Sequence, residues 1–276
     1  MRIWYLAAAV ALTSCAPTVN LLNPTSPRFE GAFAPSPASA EVAASRLRVV
    51  SFNIKLADRI GPAIEVLASD SLRNADIISL QEMDESGTER IARALHLNYV
   101  YFPGSIHPTR NRYFGPAILS RWPIERSWKL ILPYEAPGRR QRRNATAAVV
   151  NVGGTRVQVY AVHLETQLRA SDHTRENQAA AILADAKGAS GPVVIAGDFN
   201  SWSIGRYLEQ KGFAWPTKDI GKTITIFSWD HIFVRGLSSD SAAAGKVRDV
   251  RGASDHRPVW ASLILARPGA ITTSSR

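Results

Sequence analysis

PVVIAGDFN, residues 192–200, is the stretch whose reading decides the fold. Val193 to Ala196 form an unbroken apolar run, the pattern of a short strand buried on both faces inside a sheet. The end of such a strand is a costly place for a carboxylate, because a charge taken out of water must be paired or bound. Asp198 and Asn200 nevertheless stand there, two residues apart and directly behind Gly197. The run therefore reads as a central strand that delivers polar side chains to a rim.

Other segments end the same way. Ser51-Phe52-Asn53 closes the strand-like run from Arg46 to Ile54, and Ser79-Leu80-Gln81-Glu82 closes the run that begins at Ala75. Tyr160-Ala161-Val162-His163 ends a third run. Trp229-Asp230-His231 enters a late strand, and Ser254-Asp255-His256-Arg257-Pro258 precedes the last one. Taken singly, an Asp or Glu after a strand caps the next helix, and a lone histidine is a hydrogen-bonded neighbour of the core. Gathered at one rim, these groups make an oxygen-rich pocket suited to a hard divalent cation such as Mg²⁺, with Mn²⁺ or Ca²⁺ as alternatives. Zinc is poorly served, since the chain has a single cysteine and no His-x-x-x-His spacing. A histidine backed by a carboxylate is raised in basicity and held in one tautomer.

Further strands are expected around 98–102, 115–120, 145–152, 156–163, 229–234 and 257–265, with helices after Asp58, over Glu85–Leu97 and at about 172–187. Buried and alternating strands with helices interspersed fit an α/β or α+β sandwich better than a regular βαβ barrel. Ser171-Asp172-His173 repeats the letters S-D-H but precedes a helical pattern, so it reads as a cap.

The 276 residues suffice for one large domain or two small ones, and 45% hydrophobic with 20% charged residues describes a globular chain with a large core. A formal net charge of +10 suits an anionic partner: nucleic acid, an acidic membrane surface or a phosphorylated metabolite. It also suits a basic envelope protein that binds no polyanion. The lone Cys15 excludes an internal disulfide. It ends MRIWYLAAAVALTSC, residues 1–15, a basic residue and a short apolar stretch laid out like a secretory signal. The ending resembles a bacterial lipobox, which implies a signal peptide over 1–14, a lipidated Cys15 and export to the cell envelope. In a Gram-negative cell, Ala16 in the next position favours the outer membrane, facing the periplasm. A plain signal peptide or a stray apolar start is the alternative. Residues 15–45 are Pro-, Ser- and Ala-rich and read as a flexible tether, 46–266 as the domain, and 267–276 as a disordered tail.

VVSFNIK, IISLQEMD, YAVHLET, VIAGDFNS, WDHIFVRG and GASDHRPVWA, in that order, resemble the endonuclease/exonuclease/phosphatase family, whose members include deoxyribonuclease I. The resemblance implies an α+β, four-layer αββα sandwich of two mixed β-sheets with helices outside. It implies a metal-dependent phosphoric ester hydrolase, with Asn53, Glu82 and Asp255 as metal ligands. His163, Asp198, Asn200, Asp230 and His256 would be catalytic: Asp198 orienting or deprotonating water, Asn200 and His256 on the phosphate, Asp230 fixing His256, and His163 on the phosphate or leaving group. Arg175 and Gln178 match a pattern read as structural, and His231 reads as a wall residue.

The substrate is left more open. HPTRNRY (107–113) and GRRQRR (138–143) are basic stretches where substrate loops are expected, so Arg139, Arg140, Arg142 and Arg143 are candidate contacts to a nucleic-acid backbone. A solvated loop is the plain alternative. The first expectation is a Mg²⁺-dependent, non-specific extracytoplasmic nuclease that attacks its phosphodiester in line with water. The others are a phospholipid-headgroup or small-phosphoester hydrolase of the same fold, and a non-enzymatic polyanion-binding lipoprotein.

Overall fold

The computed structural model describes residues 18–35 and 46–265. The expected signal peptide, Cys15 and the C-terminal tail lie outside the described residues, as does the tether from 36 to 45. In chain order the strands are β1 (Val19–Asn20), β2 (Phe29–Gly31), β3 (Arg46–Asn53), β4 (Ile77–Met83), β5 (Asn98–Tyr101), β6 (Ser105–Ile106) and β7 (Tyr113–Ser120). They continue as β8 (Ile124–Ile131), β9 (Asn144–Val152), β10 (Thr155–His163), β11 (Val193–Asp198), β12 (Asp230–Arg235), β13 (Ser238–Lys246) and β14 (Val259–Ile264). The helices are α1 (Ile60–Leu67), α2 (Glu85–Ala94), α3 (Asp172–Asp185) and α4 (Ser203–Gln210).

The strands build two mixed sheets. One runs β1-β6-β7-β4-β3-β14-β13, with β5 also on β7 and β2 on β5; the other runs β12-β11-β10-β9-β8. Each contains one parallel pair, β3 with β4 and β10 with β11, and the remaining pairings are antiparallel. Parallel neighbours end on the same side, so each sheet points two strand ends at one rim.

The apolar run of β11 shows why it carries no alternation. Val194 and Ala196 pack between the sheets beside Val159 and Ile232, whereas Val193 and Ile195 face outward into a cluster with Ala179 and Ile182 of α3 and Ile204 and Leu208 of α4. Successive residues point to opposite faces, and here both faces are covered. On the far side, Val50, Phe52, Ile78 and Leu80 pack against Ala63 and Val66 of α1 and Ile91 of α2. The result is the four-layer αββα sandwich.

One expectation is corrected. Residues 18–35, read as part of a flexible tether, lie against the domain: β1 pairs with β6, and β2 pairs with β5. Aromatic anchors hold them. Phe29 packs on Tyr101 and Tyr113, and Phe33 stacks on Tyr99 with the Arg93 guanidinium 4.1 Å from its ring. Half-burying each ring contributes on the order of 1 kcal/mol. The Lys129 ammonium donates to the carbonyls of Leu21 and Ser26, both at 2.9 Å, and burial pushes its pKa down to about 8. Composition marked this segment as linker; two phenylalanines spaced to reach a hydrophobic edge override it. Strands β8 and β13 and helix α4 were likewise not anticipated.

Candidate active site

Strand register assembles the rim. His163, Asp198 and Asp230 lie on one rung across β10, β11 and β12, because His163 pairs with Asp198 and Asp198 with Asp230. Gly197 sits one residue back for a steric reason. A Cβ there would come within 2.0 Å of the Val162 carbonyl oxygen, so any side chain would force β10 and β11 apart. From the other sheet, Asn53 ends β3 opposite Gln81. Asn53 Nδ2 donates to Asp198 Oδ2 at 3.0 Å and to Glu82 Oε1 at 3.3 Å, stitching the two sheets together at their ends.

Glu82 reaches the rim through a bulge. The register of β4 with β7 shifts between Leu80 and Met83, and Glu82 adopts φ 61°, a left-handed conformation that costs a non-glycine residue about 1 kcal/mol or more. The bulge turns the carboxylate toward Asn53 and lets Oε2 accept from the Leu56 N–H at 2.9 Å. Asn200, at φ 50°, donates from its backbone to Asp198 Oδ1 at 2.9 Å and from Nδ2 to the Leu164 carbonyl at 3.0 Å. The amide of Asn200 is thus spent on the protein's own backbone in this structure.

Two histidines flank Asp198. His256 Nε2 and His163 Nε2 lie 3.7 and 3.6 Å from its Oδ2, beyond direct hydrogen-bond reach. His256 Nδ1 is 2.9 Å from Asp230 Oδ2, and a carboxylate can only accept, so Nδ1 carries a proton. Burial disfavours a charged His256, but the carboxylates of Asp230 and Asp198 outweigh it and push its pKa up to about 10. His163 Nδ1 is 3.2 Å from Arg143 Nη1, which can only donate; the proton of the neutral ring is therefore on Nε2. Burial, then the charges of Arg143 and His256, hold His163 well below the usual imidazole range. Burial also raises the Asp198 carboxyl, against the pull of His256.

A family model described as the endonuclease/exonuclease/phosphatase family matches residues 50–256. The chain belongs to that family. A protein of Escherichia coli (strain K12), YbhP, is 25% identical over 219 residues, covering 70% of this chain and 84% of its own length. Among solved structures, a family member from Bacteroides vulgatus aligns with a TM-score of 0.65 at 18% identity, over 81% of this chain and all of the other. D. rerio TDP2 complexed with single strand DNA product aligns with a TM-score of 0.62 at 20% identity, over 80% of this chain and 99% of that one. These likenesses establish the fold. Members of the family are in general phosphoester hydrolases, and the chain is an enzyme of that broad class.

Among family features, the divalent cation can be tested against this chain's donors. Asp198, Asp230 and His256 have ligand atoms within 4.8 Å of one another, but His256 Nδ1 is already hydrogen-bonded to Asp230. That trio reads as a positioned base pair of groups more than as a cage. Asn53, Glu82 and Asp255 offer oxygen alone, which fits a hard cation. Asn53 and Glu82 are hydrogen-bonded to each other, and Lys55 links Asn53 to Asp255: its Nζ lies 3.1 Å from Asp255 Oδ2, while its backbone N–H donates to Asn53 Oδ1 at 3.0 Å. Asp255 is half exposed, with 45% of its side chain open to solvent.

The four arginines of the 138–143 stretch part company, which corrects their reading as one set. Arg143 is buried in the site, ion-paired with Glu165 at 3.4 Å and facing His163 in a slot lined by Phe114, Gly115 and Gln141. Arg140 pairs with Glu135, and Arg142 lies 3.6 Å from the same carboxylate. Arg139 gives its carbonyl to the Thr18 N–H. The 107–113 stretch is also matched internally, Arg110 by Asp58 at 2.6 Å and Arg112 by Asp58 at 3.0 Å and Asp84 at 2.7 Å.

Glu165, Lys55 and Thr223 were missed. Glu165 stands two residues after His163 in the HLET segment and is 1% exposed, so its strand-end position was the available signal. Thr223 Oγ1 accepts from the N–H groups of Trp229 and Asp230 and so sets the start of β12; nothing local marks it. The plain readings hold for the remaining residues. Ser171 caps α3, and Arg175 and Gln178 are buried against the 165–170 loop and Pro133. His231 packs on Trp215 and Phe199, and burial pushes its pKa down to about 4.

Proposed function

We propose that the protein hydrolyses a phosphodiester by in-line attack of water, with a divalent cation and without a covalent enzyme intermediate. The observation that carries this reading is Asp198 Oδ2, buried between two histidine Nε2 atoms of which one is charged and the other neutral. Asn53, Glu82 and Asp255 would hold the cation, which supplies Lewis-acid polarisation of a phosphoryl oxygen. Asp198, its carboxyl raised by burial, accepts the proton of the attacking water. The charged His256, steadied by Asp230, donates from Nε2 to a phosphate oxygen, while the P–O bond opposite the incoming water breaks and the leaving oxygen takes its proton from solvent water. Neutral His163 donates a hydrogen bond from Nε2 and has no spare proton to release.

Nucleic acid is the first substrate class, supported by the net charge of +10. A headgroup or small-phosphoester substrate is the second, and the internal pairing of Arg110, Arg112, Arg140 and Arg142 favours it, because those cations are already matched by carboxylates. The experiment is a panel of plasmid DNA, RNA, phosphatidylinositol phosphates, sphingomyelin and bis(p-nitrophenyl) phosphate, each with Mg²⁺ or EDTA. Nicking abolished by EDTA and by Asp198→Ala supports a nuclease; headgroup release with intact plasmid supports the second class. Binding without turnover of any substrate defeats the hydrolase reading. An outer-membrane anchor at Cys15 rests on residues 1–15; release from membranes by Cys15→Ser supports it, and retention opposes it.

A further inference from the structure

The exposed large apolar side chains of the described residues are unevenly placed. Seven are known, and five of them, Val19, Leu168, Trp202, Ile226 and Phe227, lie at the catalytic end of the sandwich. Leu168 is 99% exposed in the loop that follows His163, and Trp202 comes two residues after Asn200. Ile226, 62% exposed, and Phe227 form the tip of a tight turn in which Ile224 and Phe227 bridge each other and Ile224 bridges His256. Val19 faces Ile106, which in turn pairs with Tyr113 at the site end of β7. Of the other two among the described residues, Leu22 lies in the segment between β1 and β2, and Ile264 stands at the opposite end beside the first residue of β3. Single exposed apolar side chains need no explanation, but several at the end that carries a recessed polar site do.

Exposed cations stand beside these tips, one in α4 and one in the loop before β12. Arg206 stacks on Trp202 with 4.9 Å to the ring centre, and Lys222 stands four residues before Ile226. Separate apolar tips among cations do not make one shaped groove for a folded partner. They match a fluid anionic surface, into which each tip inserts independently while the cations meet phosphate. The chain also leads back toward Cys15 from this end: the Thr18 N–H donates to the Arg139 carbonyl, and the three residues from Cys15 span at most about 11 Å.

We propose that the catalytic end of the domain is a membrane-docking face, which seats on an anionic lipid surface through Leu168, Ile226, Phe227 and their neighbouring cations and presents the site to that surface. This goes beyond the hydrolytic reading and does not require it. The test uses the full chain carrying Cys15→Ser, so that no acyl anchor contributes, and sediments it with vesicles of phosphatidylglycerol and phosphatidylcholine in about equal parts. Leu168→Ser with Ile226→Ser should weaken partitioning by about tenfold or more, the scale expected for withdrawing two aliphatic side chains from lipid. Pure phosphatidylcholine should bind the parent more weakly than the mixed vesicles do. Hydrolysis of bis(p-nitrophenyl) phosphate should be unchanged in the double variant. Equal vesicle binding by parent and variant, or no vesicle binding by the parent, overturns the proposal. So does a variant that loses single-stranded DNA binding while the parent ignores vesicles, since the tips would then be stacking on bases.

Discussion

His256 and His163 approach one oxygen of Asp198 from the two flanks of its strand at nearly equal distance, 3.7 and 3.6 Å, and both are buried. Their states are opposite because their backing is opposite. Asp230 stands behind the first, and the Arg143–Glu165 ion pair stands behind the second with a guanidinium facing the ring. Burial alone would strip the charge from either imidazole. A carboxylate reverses that on one side, and a cation reinforces it on the other. The rim thus keeps one proton donor that is charged and one that is neutral, a division that identical residues acquire only from their neighbours.

Removing the shared oxygen should erase the comparison altogether: Asp198→Ala is expected to lower kcat by about 10³-fold or more, measured on bis(p-nitrophenyl) phosphate. Breaking one flank comes next. Asp230→Asn takes away the carboxylate that charges His256, and kcat should fall by about 10²- to 10³-fold with KM little changed. His163→Gln, which keeps a neutral donor, should cost about tenfold or less, because that side never supplies a charge. A loss as large as that of Asp230→Asn would mean that the two flanks do the same work.

The contrast is sharpened by stability measured against pH in EDTA. His256 has a folded pKa of about 10, above the unfolded value of about 6.5, so its contribution is full below pH 6.5 and is lost as pH climbs through 10. The Tm gap between the wild-type protein and Asp230→Asn should therefore shrink from pH 6 to pH 10. His163 is depressed below its unfolded value, so folding is penalised as pH drops beneath about 6.5. His163→Gln should lose less Tm than the wild-type protein between pH 7 and pH 5. The smallest effect belongs to the loop outside the comparison: Arg140→Ala, already paired with Glu135, should shift KM for DNA by about twofold or less. A large rise in KM with a flattened salt dependence would restore that arginine as a backbone contact.

Much of this was legible in the sequence because it is local. The uninterrupted run of β11, the glycine before Asp198 and the polar residues at the ends of β3, β10 and β11 follow from what one strand needs: two covered faces, a close neighbour and a solvent-facing end. Asn53, His163, Asp198, Asp230 and His256 were named on those grounds together with the motif order, and the structure brings them into one cluster. Residues 18–35 were misread because composition reports chain stiffness and polarity, not whether Phe29 and Phe33 find a partner across the fold. The basic stretch was misread because four arginines in a row of six look alike until Glu165 and Glu135 choose among them.

The amino-acid sequence by itself determined that β3, β4, β9, β10 and β11 become strands and that several of their ends carry polar groups, since these depend on side-chain period and on the few residues around each turn. Tertiary structure alone decided the bulge that aims Glu82, the inward turn of Arg143 and the opposite protonation of two histidines. Each of these is set by a neighbour distant along the chain, and the electrostatic energy of a buried group depends on distance and desolvation, neither of which a sequence position carries.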